Sequence, residues 1–344
     1  MDNQQFRIII VGGGIAGLAT FRLFRSDGTL AKEITVNTQE KYGGVRMMPV
    51  VQDLLDALRE AAVDPKRFGP PAKILTSQRV DKCDTTAGSV ITTDKVALHA
   101  DLIIGADGIK STIRHFVLDR TQNAVKTGLS GNSCQEKLKH ANVPQIPMQH
   151  MEQAAKFTQY INPRDEFTTM VLCHDHRLVM GPDRHGESYS VTFSDIPSWL
   201  VEPFRNITSM GLWQLRDLDP LETWTKGRAI LVGDAAHAML PAQGQGASQA
   251  IEDAEALGSF FEDIKGRPSQ EQVTQRLANV FEARYQRATL VQKYSRQQAR
   301  PATDANSIEI KLNTEEFAHF NYSYNGAKEW IARSSKLNGG QPGV

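Results

Sequence analysis

Three stretches of this chain place glycine, and two of them aspartate as well, where a strand hands over to a helix. The longest runs from Ala229 to Ser259. Its apolar start Ala229-Ile230-Leu231-Val232 ends in Gly233-Asp234, then come Pro241 and the close glycines Gly244 and Gly246, and a long helical pattern follows. Such a turn offers a ligand bare backbone N–H groups and one carboxylate, because the first N–H groups of a helix have no partner within it and form its positive dipole end. The second stretch is Asp101-Leu102-Ile103-Ile104-Gly105-Ala106-Asp107-Gly108, continuing through Ser111 to Arg114. The third is Val11-Gly12-Gly13-Gly14-Ile15-Ala16-Gly17, directly after the apolar run Phe6–Val11.

Gly12, Gly14 and Gly17 hold the three glycine positions of the dinucleotide-binding fingerprint. The first lets the strand turn sharply, the second lets a pyrophosphate approach the backbone, and the third lets helix and strand pack closely. That fingerprint expects an acidic residue about 20 positions on, at the end of a second strand, to hold a ribose. Here Ile34-Thr35-Val36 runs into Asn37-Thr38-Gln39-Glu40, so Glu40 and the more distant Glu33 are the candidates, and each also reads as a solvated surface carboxylate. His237 sits in Asp234-Ala235-Ala236-His237 and reads as a packing residue rather than a base. Cys173, His174 and His176 lack a further ligand, so no metal site is expected.

The elements that must position these turns follow from the hydrophobic pattern. Phe6–Val11 and Ala100–Ile104 read as buried strands, Leu18–Phe24 as the start of a helix, and Gln52–Ala62 as a helix, with Leu54, Leu55, Leu58, Ala61 and Ala62 at helical spacing. Pro65–Pro71 breaks that helix; Lys73–Leu75, Arg79–Cys83 and Ser89–Thr93 read as short strands. Gln122–His150 is polar and reads as a connection into a second region, where Val171–Cys173, Leu178–Met180 and Tyr189–Phe193 look like an antiparallel sheet. Gln272–Arg300 reads as a long, basic, amphipathic helix; the tail beyond Pro301 is polar, and Gly339–Val344 is expected to be disordered. The fold expected is an α/β dinucleotide-binding domain split in sequence, residues 1–120 and 221–300, around an inserted antiparallel-sheet substrate domain at 121–220, with a C-terminal helix and tail at 301–344.

Composition narrows the partners. The chain has 344 residues with 39 basic and 39 acidic side chains, a formal net charge of +0, which recommends neither nucleic acid nor an anionic membrane. Cys83, Cys134 and Cys173 form no metal-type pair, as in a reducing compartment. The first apolar run is too short for a signal peptide or a transmembrane segment, so a cytoplasmic protein is expected.

The Gly233–Leu257 and Gly105–Arg114 stretches resemble the Gly-Asp and Asp-Gly signatures of the FAD-dependent aromatic hydroxylases, the single-component flavoprotein monooxygenases that include salicylate hydroxylase. Trp213-Gln214-Leu215, Pro220–Trp224 and Glu282–Gln292 are similar to this family too, and the whole looks most like its fungal secondary-metabolism members. The resemblance implies a Rossmann-like FAD-binding domain, FAD as cofactor, NAD(P)H as transient reductant, and O₂ used to hydroxylate a small aromatic or polyketide-like molecule. It implies FAD contacts at Gly12, Gly14, Gly17, Asp107, Gly233, Asp234, Gly246 and Ala247. Asp234 would accept hydrogen bonds from the ribityl chain, and Gly246 and Ala247 would turn backbone N–H groups to the flavin ring. Asp107 would serve the FAD and the passing nicotinamide. A helix N-cap for Asp234 and a turn aspartate for Asp107 are the plainer alternatives.

The chain also departs from the family pattern. The opening helix runs almost directly into Arg25-Ser26-Asp27-Gly28-Thr29, as if a long segment with an acid-ended strand were missing. Val50-Val51 stands where the family usually has His-Arg, and substrate-domain positions often held by Arg and Tyr look replaced, with Arg184, His185 and Tyr189 nearby. These departures keep open a second reading, a catalytically impaired flavin-binding protein. A third, an ordinary NAD-dependent dehydrogenase, has only the first glycine motif in its favour.

Overall fold

The computed structural model describes residues 7–11, 21–25, 30–34, 51–67, 70–126, 140–143, 145–165, 168–172, 177–183, 188–192, 199, 202–203, 211–299 and 310–337. Its central layer is a four-stranded sheet in the order Ile8–Val11, Leu102–Gly105, Ala229–Leu231, Thr225–Lys226. The first three strands are mutually parallel, and the fourth turns back antiparallel. Leu102, Ile103, Ala229, Ile230 and Leu231 are buried, and the core they form continues through Leu257, Phe260, Val273, Leu277 and Val280 of two helices. Strands covered on both faces read as continuous apolar runs, which is how these two are written. A three-stranded antiparallel sheet, Val80–Asp84, Ser89–Thr92 and Ala97–His99, flanks this layer.

A second sheet has six strands in the order Gln145–Pro147, Ser188–Thr192, Arg177–Asp183, Thr168–Leu172, Phe21–Arg25, Leu30–Ile34. This is the expected antiparallel sheet with one correction: Phe21–Arg25 is a strand of it, not helix. It lies parallel to Thr168–Leu172 and antiparallel to Leu30–Ile34, so both its edges are paired. A run this short shows no decisive period, and a ladder on both sides outweighs its helical propensity. The Ile34 region accordingly does not supply a second strand to the parallel sheet, because Leu30–Ile34 pairs with Phe21–Arg25 instead. Leu18–Thr20 and Thr35–Glu40 lie outside the described residues.

Other readings also change. Gln122–His150 is not a bare connection: it contains the strands Val125–Lys126, His140–Val143 and Gln145–Pro147 and the start of the helix Met148–Gln153. Lys73–Leu75 forms no strand; Ile74 and Leu75 are 45% and 48% exposed and find no ladder partner. The polar tail folds into the helices Thr314–Tyr322 and Ala327–Leu337. The first opens with a capping box, in which Asn313 accepts the N–H groups of Glu315 and Glu316 while the Glu316 carboxylate accepts the Asn313 N–H. The long helix, Gln270–Gln298, opens the same way on Ser269 and Gln272. Val51–Val63 is helical as its spacing predicts. Gly339–Val344 lies outside the described residues. No helix among the described residues is long and apolar enough to cross a membrane.

Candidate cofactor site

Register brings the strands that lead into the three sequence motifs to one edge. Val11 and Leu231 both stand opposite Gly105 in the parallel ladders, so the three strands end together at the sheet's carboxyl edge. That edge is where open α/β sheets bind ligands. Gly12, Gly14 and Gly17 lie just past Val11, outside the described residues; the other two turns are described fully.

The Gly105–Arg114 turn is built by its own aspartate. Asp107 accepts the Ser111 hydroxyl at 2.5 Å and the backbone N–H groups of Thr112 at 2.7 Å and Ile113 at 3.1 Å. It thus sits over the first N–H groups of the short helix Ile113–Leu118. Gly108 takes φ +74°, and a Cβ added there would meet nothing within 4 Å.

The Gly233 turn is held from behind. Gly233 has φ +56° and ψ −141°, a conformation open essentially to glycine alone, and an added Cβ would come within 3.2 Å of the Ala250 Cβ. Its N–H donates to Asp253 Oδ2 at 2.9 Å, and His237 Nε2 lies 2.7 Å from the same oxygen. His237 is buried against the Trp224 ring, with centroids 5.0 Å apart. The next residue, Asp234, faces solvent, and its carboxylate accepts no hydrogen bond among the described residues. Crowding by the surrounding protein raises its carboxyl above the ordinary carboxylate range, against the opposing pull of His237 and Arg114.

One residue joins the two turns. Arg114 is fully buried and turns its guanidinium on backbone carbonyls only: Nε donates to Ala235 at 2.7 Å, one terminal nitrogen to Ile109 at 3.1 Å and Gln122 at 3.4 Å, and the other to Gly108 at 3.2 Å and Asp234 at 2.9 Å. Burial pulls its pKa down, with Asp107 and Asp234 opposing. The guanidinium therefore keeps the Asp107-Gly108 and Asp234-Ala235 backbones side by side.

The helix Gly246–Phe261 completes the arrangement. Ala250 lies against Gly233, so the helix N-terminus, one turn earlier, opens beside the same turn. No side chain caps it, no acid occupies its first turn, and a Cβ on Gly246 would meet open space. An unpartnered carboxylate, two uncrowded glycines and an uncapped helix N-terminus thus converge at one sheet edge. A carboxylate suits a polyol, and a helix N-terminus suits an electron-rich or anionic ring system.

The residues 33–275 match the model of the FAD-binding domain family. The chain belongs to that family. As an FAD-binding domain protein it is 31% identical to hispidin-3-hydroxylase of Neonothopanus nambi over 74% of this chain and 66% of that protein. It is 30% identical to the FAD-dependent monooxygenase phomE of Diaporthe leptostromiformis over 76% of each. A salicylate hydroxylase solved as a substrate complex has the same fold, with TM-score 0.65 and 20% identity over 96% of this chain and 85% of that one. Membership makes this chain a flavoprotein, and its relatives make it one of the FAD-dependent monooxygenase type. FAD is the group the site must fit, and the donor set at the Gly233 end fits a polyol chain and an isoalloxazine ring. The matched stretch begins at residue 33, so Gly12, Gly14 and Gly17 precede it.

Of the residues singled out in the sequence, the fold thus gathers Asp107, Gly233, Asp234, Gly246 and Ala247. Glu33 lies on a strand of the other sheet, while Glu40, Cys173, His174, His176, Arg184 and His185 lie outside the described residues. Reading the sequence missed Asp253, Arg284 and the bracing role of Arg114. The signal was present: Asp253 and Arg284 are charges set among apolar positions of helix faces, and a buried charge demands a partner.

Proposed function

We propose that this chain uses NAD(P)H and O₂ to hydroxylate a small aromatic or polyketide-like molecule of fungal secondary metabolism. The observation that carries this reading is the Asp234 carboxylate, solvent-facing and without a hydrogen-bond partner among the described residues, between the Gly108 turn and the Gly246 helix N-terminus. When bound, FAD supplies the redox chemistry, accepting reducing equivalents from a nicotinamide nucleotide and activating oxygen. In this reading Asp234 accepts hydrogen bonds from the ribityl hydroxyls, and the N–H groups of Gly246 and Ala247 stabilise negative charge on the ring. Asp107 shapes the Gly108 turn against which the FAD lies, both its oxygens being engaged within that turn. Support for the reaction class comes from the relatives, which include a hispidin hydroxylase and a salicylate hydroxylase.

Asp234→Ala tests the assignment. Losing a charge-assisted acceptor costs about 1.5–3 kcal/mol, or roughly ten- to a hundred-fold in FAD affinity. Flavin fluorescence titration of the apoprotein reads this directly, and unchanged affinity refutes the role. Substrate-dependent NAD(P)H consumption by the flavin-loaded protein tests the reaction. Bound flavin with no such turnover across a panel of phenols would favour the impaired-protein reading.

A further inference from the structure

We infer that Asp253 is a positioning residue that sets the aim of Asp234, and that Arg284, Glu252 and Arg287 tie it to the C-terminal helices. The inference rests on Asp234 holding FAD. Asp253 is buried; one carboxylate oxygen takes both the Gly233 N–H at 2.9 Å and His237 Nε2 at 2.7 Å, the other Arg284 Nε at 3.0 Å. Gly233 precedes Asp234 directly and sits in a backbone conformation that this hydrogen bond fixes. Arg284, also fully buried, spends its other nitrogens on Glu252 Oε2 at 2.5 Å and Gln249 Oε1 at 2.8 Å. Glu252 takes Arg287 on both its oxygens, at 2.7 and 2.8 Å. Arg287 reaches the carbonyls of Phe320 and Asn321, both at 3.0 Å, and its guanidinium lies 4.4 Å from the Tyr324 ring centroid. One relay of charge-assisted hydrogen bonds therefore runs from the end of the helix Thr314–Tyr322 to the backbone that carries Asp234. Among the described residues none of its members hydrogen-bonds the Asp234 carboxylate, so they act on the cofactor through the turn.

A double-mutant cycle on the full chain tests this, with FAD titrated into the apoprotein and far-UV circular dichroism confirming the fold. Asp234→Ala and Asp253→Ala each weaken FAD binding, by ~100-fold and ~30-fold, and the double variant is within ~2-fold of Asp234→Ala alone. Effects that multiply instead overturn the relay while leaving Asp234 as a ligand. A binding-neutral Asp234→Ala overturns both assignments together. Asp253→Asn keeps an acceptor for the Gly233 N–H and restores binding to within ~5-fold of the native chain; if it is as damaging as alanine, the hydrogen bond is not the operative contact. Should Asp253→Ala not fold, Asp253→Asn and Arg287→Ala take its place in the cycle. Arg287→Ala, at the far end, weakens FAD ~5-fold and shifts the visible circular dichroism of bound flavin only when Asp234 is present; an equal effect in the Asp234→Ala background, or none in either, overturns the link to the C-terminal helices.

Discussion

The two strands that flank Leu102–Gly105 are held in different ways. On one side, Ala229–Leu231 ends in a turn braced from behind by Asp253 and from the side by Arg114, with Arg284 one step further back. On the other, Ile8–Val11 is joined by its ladder and by the Arg7 N–H bond to Asp101, and Ile8 is 47% exposed. Among the described residues no strand extends the sheet beyond it: Leu30–Ile34, the next strand but one, belongs to the six-stranded sheet. The side that carries the flavin end is thus fixed by a network of buried charges with several partners each, and the Ile8–Val11 side, among the described residues, by its ladder and by one buried carboxylate, Asp101, which also takes Arg267. Buried charge is costly unless fully satisfied, so a network of this kind tolerates few alternatives, whereas a ladder accepts many sequences. The resemblance to known flavoproteins is correspondingly dense from Gly105 to Arg114 and from Gly233 to Leu257.

The largest effect should come from Arg114→Met. It removes the one side chain among the described residues that bonds to both turns, and five carbonyls lose a donor, of which Gly108 keeps the Ser111 N–H. A loss of about 3–5 kcal/mol is expected, read as a fall in unfolding midpoint together with loss of flavin. Arg114→Lys should recover little, because an ammonium cannot reproduce a planar fork spanning two loops. Retention of flavin by Arg114→Met would remove the distinction between the two sides of the sheet.

Acid should dismantle the braced side next. Burial alone would raise the Asp253 carboxyl, but His237 beside it, Arg284 and the Gly233 N–H bring it down to about 2. A depressed carboxyl contributes stability that is complete above its unfolded pKa near ~4 and disappears as pH falls through the folded value. About 2 kcal/mol should therefore be lost between roughly pH 4 and pH 2. Asp253→Asn should be less stable at neutral pH and flatter across that window, which denaturant unfolding at stepped pH would show. An unchanged slope would mean that Asp253 does not carry the acid sensitivity.

How much of this was legible in the sequence differs between the same two sides. The parallel strands and their glycine-aspartate turns were readable because apolar runs ending in Gly-Asp have few other uses. Arg114 bonds to residues 120 and 121 positions away, and Arg284 to one 31 positions away, and no local pattern contains such a distance. Phe21–Arg25 was misread for a related reason: its partner Thr168–Leu172 is far along the chain, and five residues carry no period of their own. Of the two C-terminal helices the pattern suggested one, although Asn313 and Glu316 spell a capping box.

Leu23→Pro turns that misreading into a measurement. Leu23 pairs with Met170 on one side and Lys32 on the other, so proline breaks an interior ladder of the six-stranded sheet. The expected cost is on the order of 1.5 kcal/mol, one ladder hydrogen bond, with faster amide exchange at Thr168–Leu172. Flavin affinity should hold, because the braced turns lie in the other sheet. If flavin is lost and amide exchange at Thr168–Leu172 is unchanged, then residues 21–25 serve the cofactor side after all.

The smallest effect is expected from an exposed ion pair close to Arg114 in the chain. Arg120, just past the helix Ile113–Leu118, pairs with Glu222 at 3.3 Å, but these side chains are 52% and 60% exposed. Exposed pairs are screened by water and salt and contribute about 0–1 kcal/mol. Arg120→Ala should accordingly shift the unfolding midpoint by little, and by less still at high salt. Arg114 and Arg120 lie six residues apart and both reach across to the segment of residues 222–235, one buried and to the Gly233 turn, the other exposed and to Glu222, so a large difference between their variants reports on burial and on contact with the turn together. A loss for Arg120→Ala approaching that for Arg114→Met would show that the link itself, wherever it lies, holds the turns in place, and the contrast between a braced and an unbraced side would have to be restated in terms of how many contacts cross each.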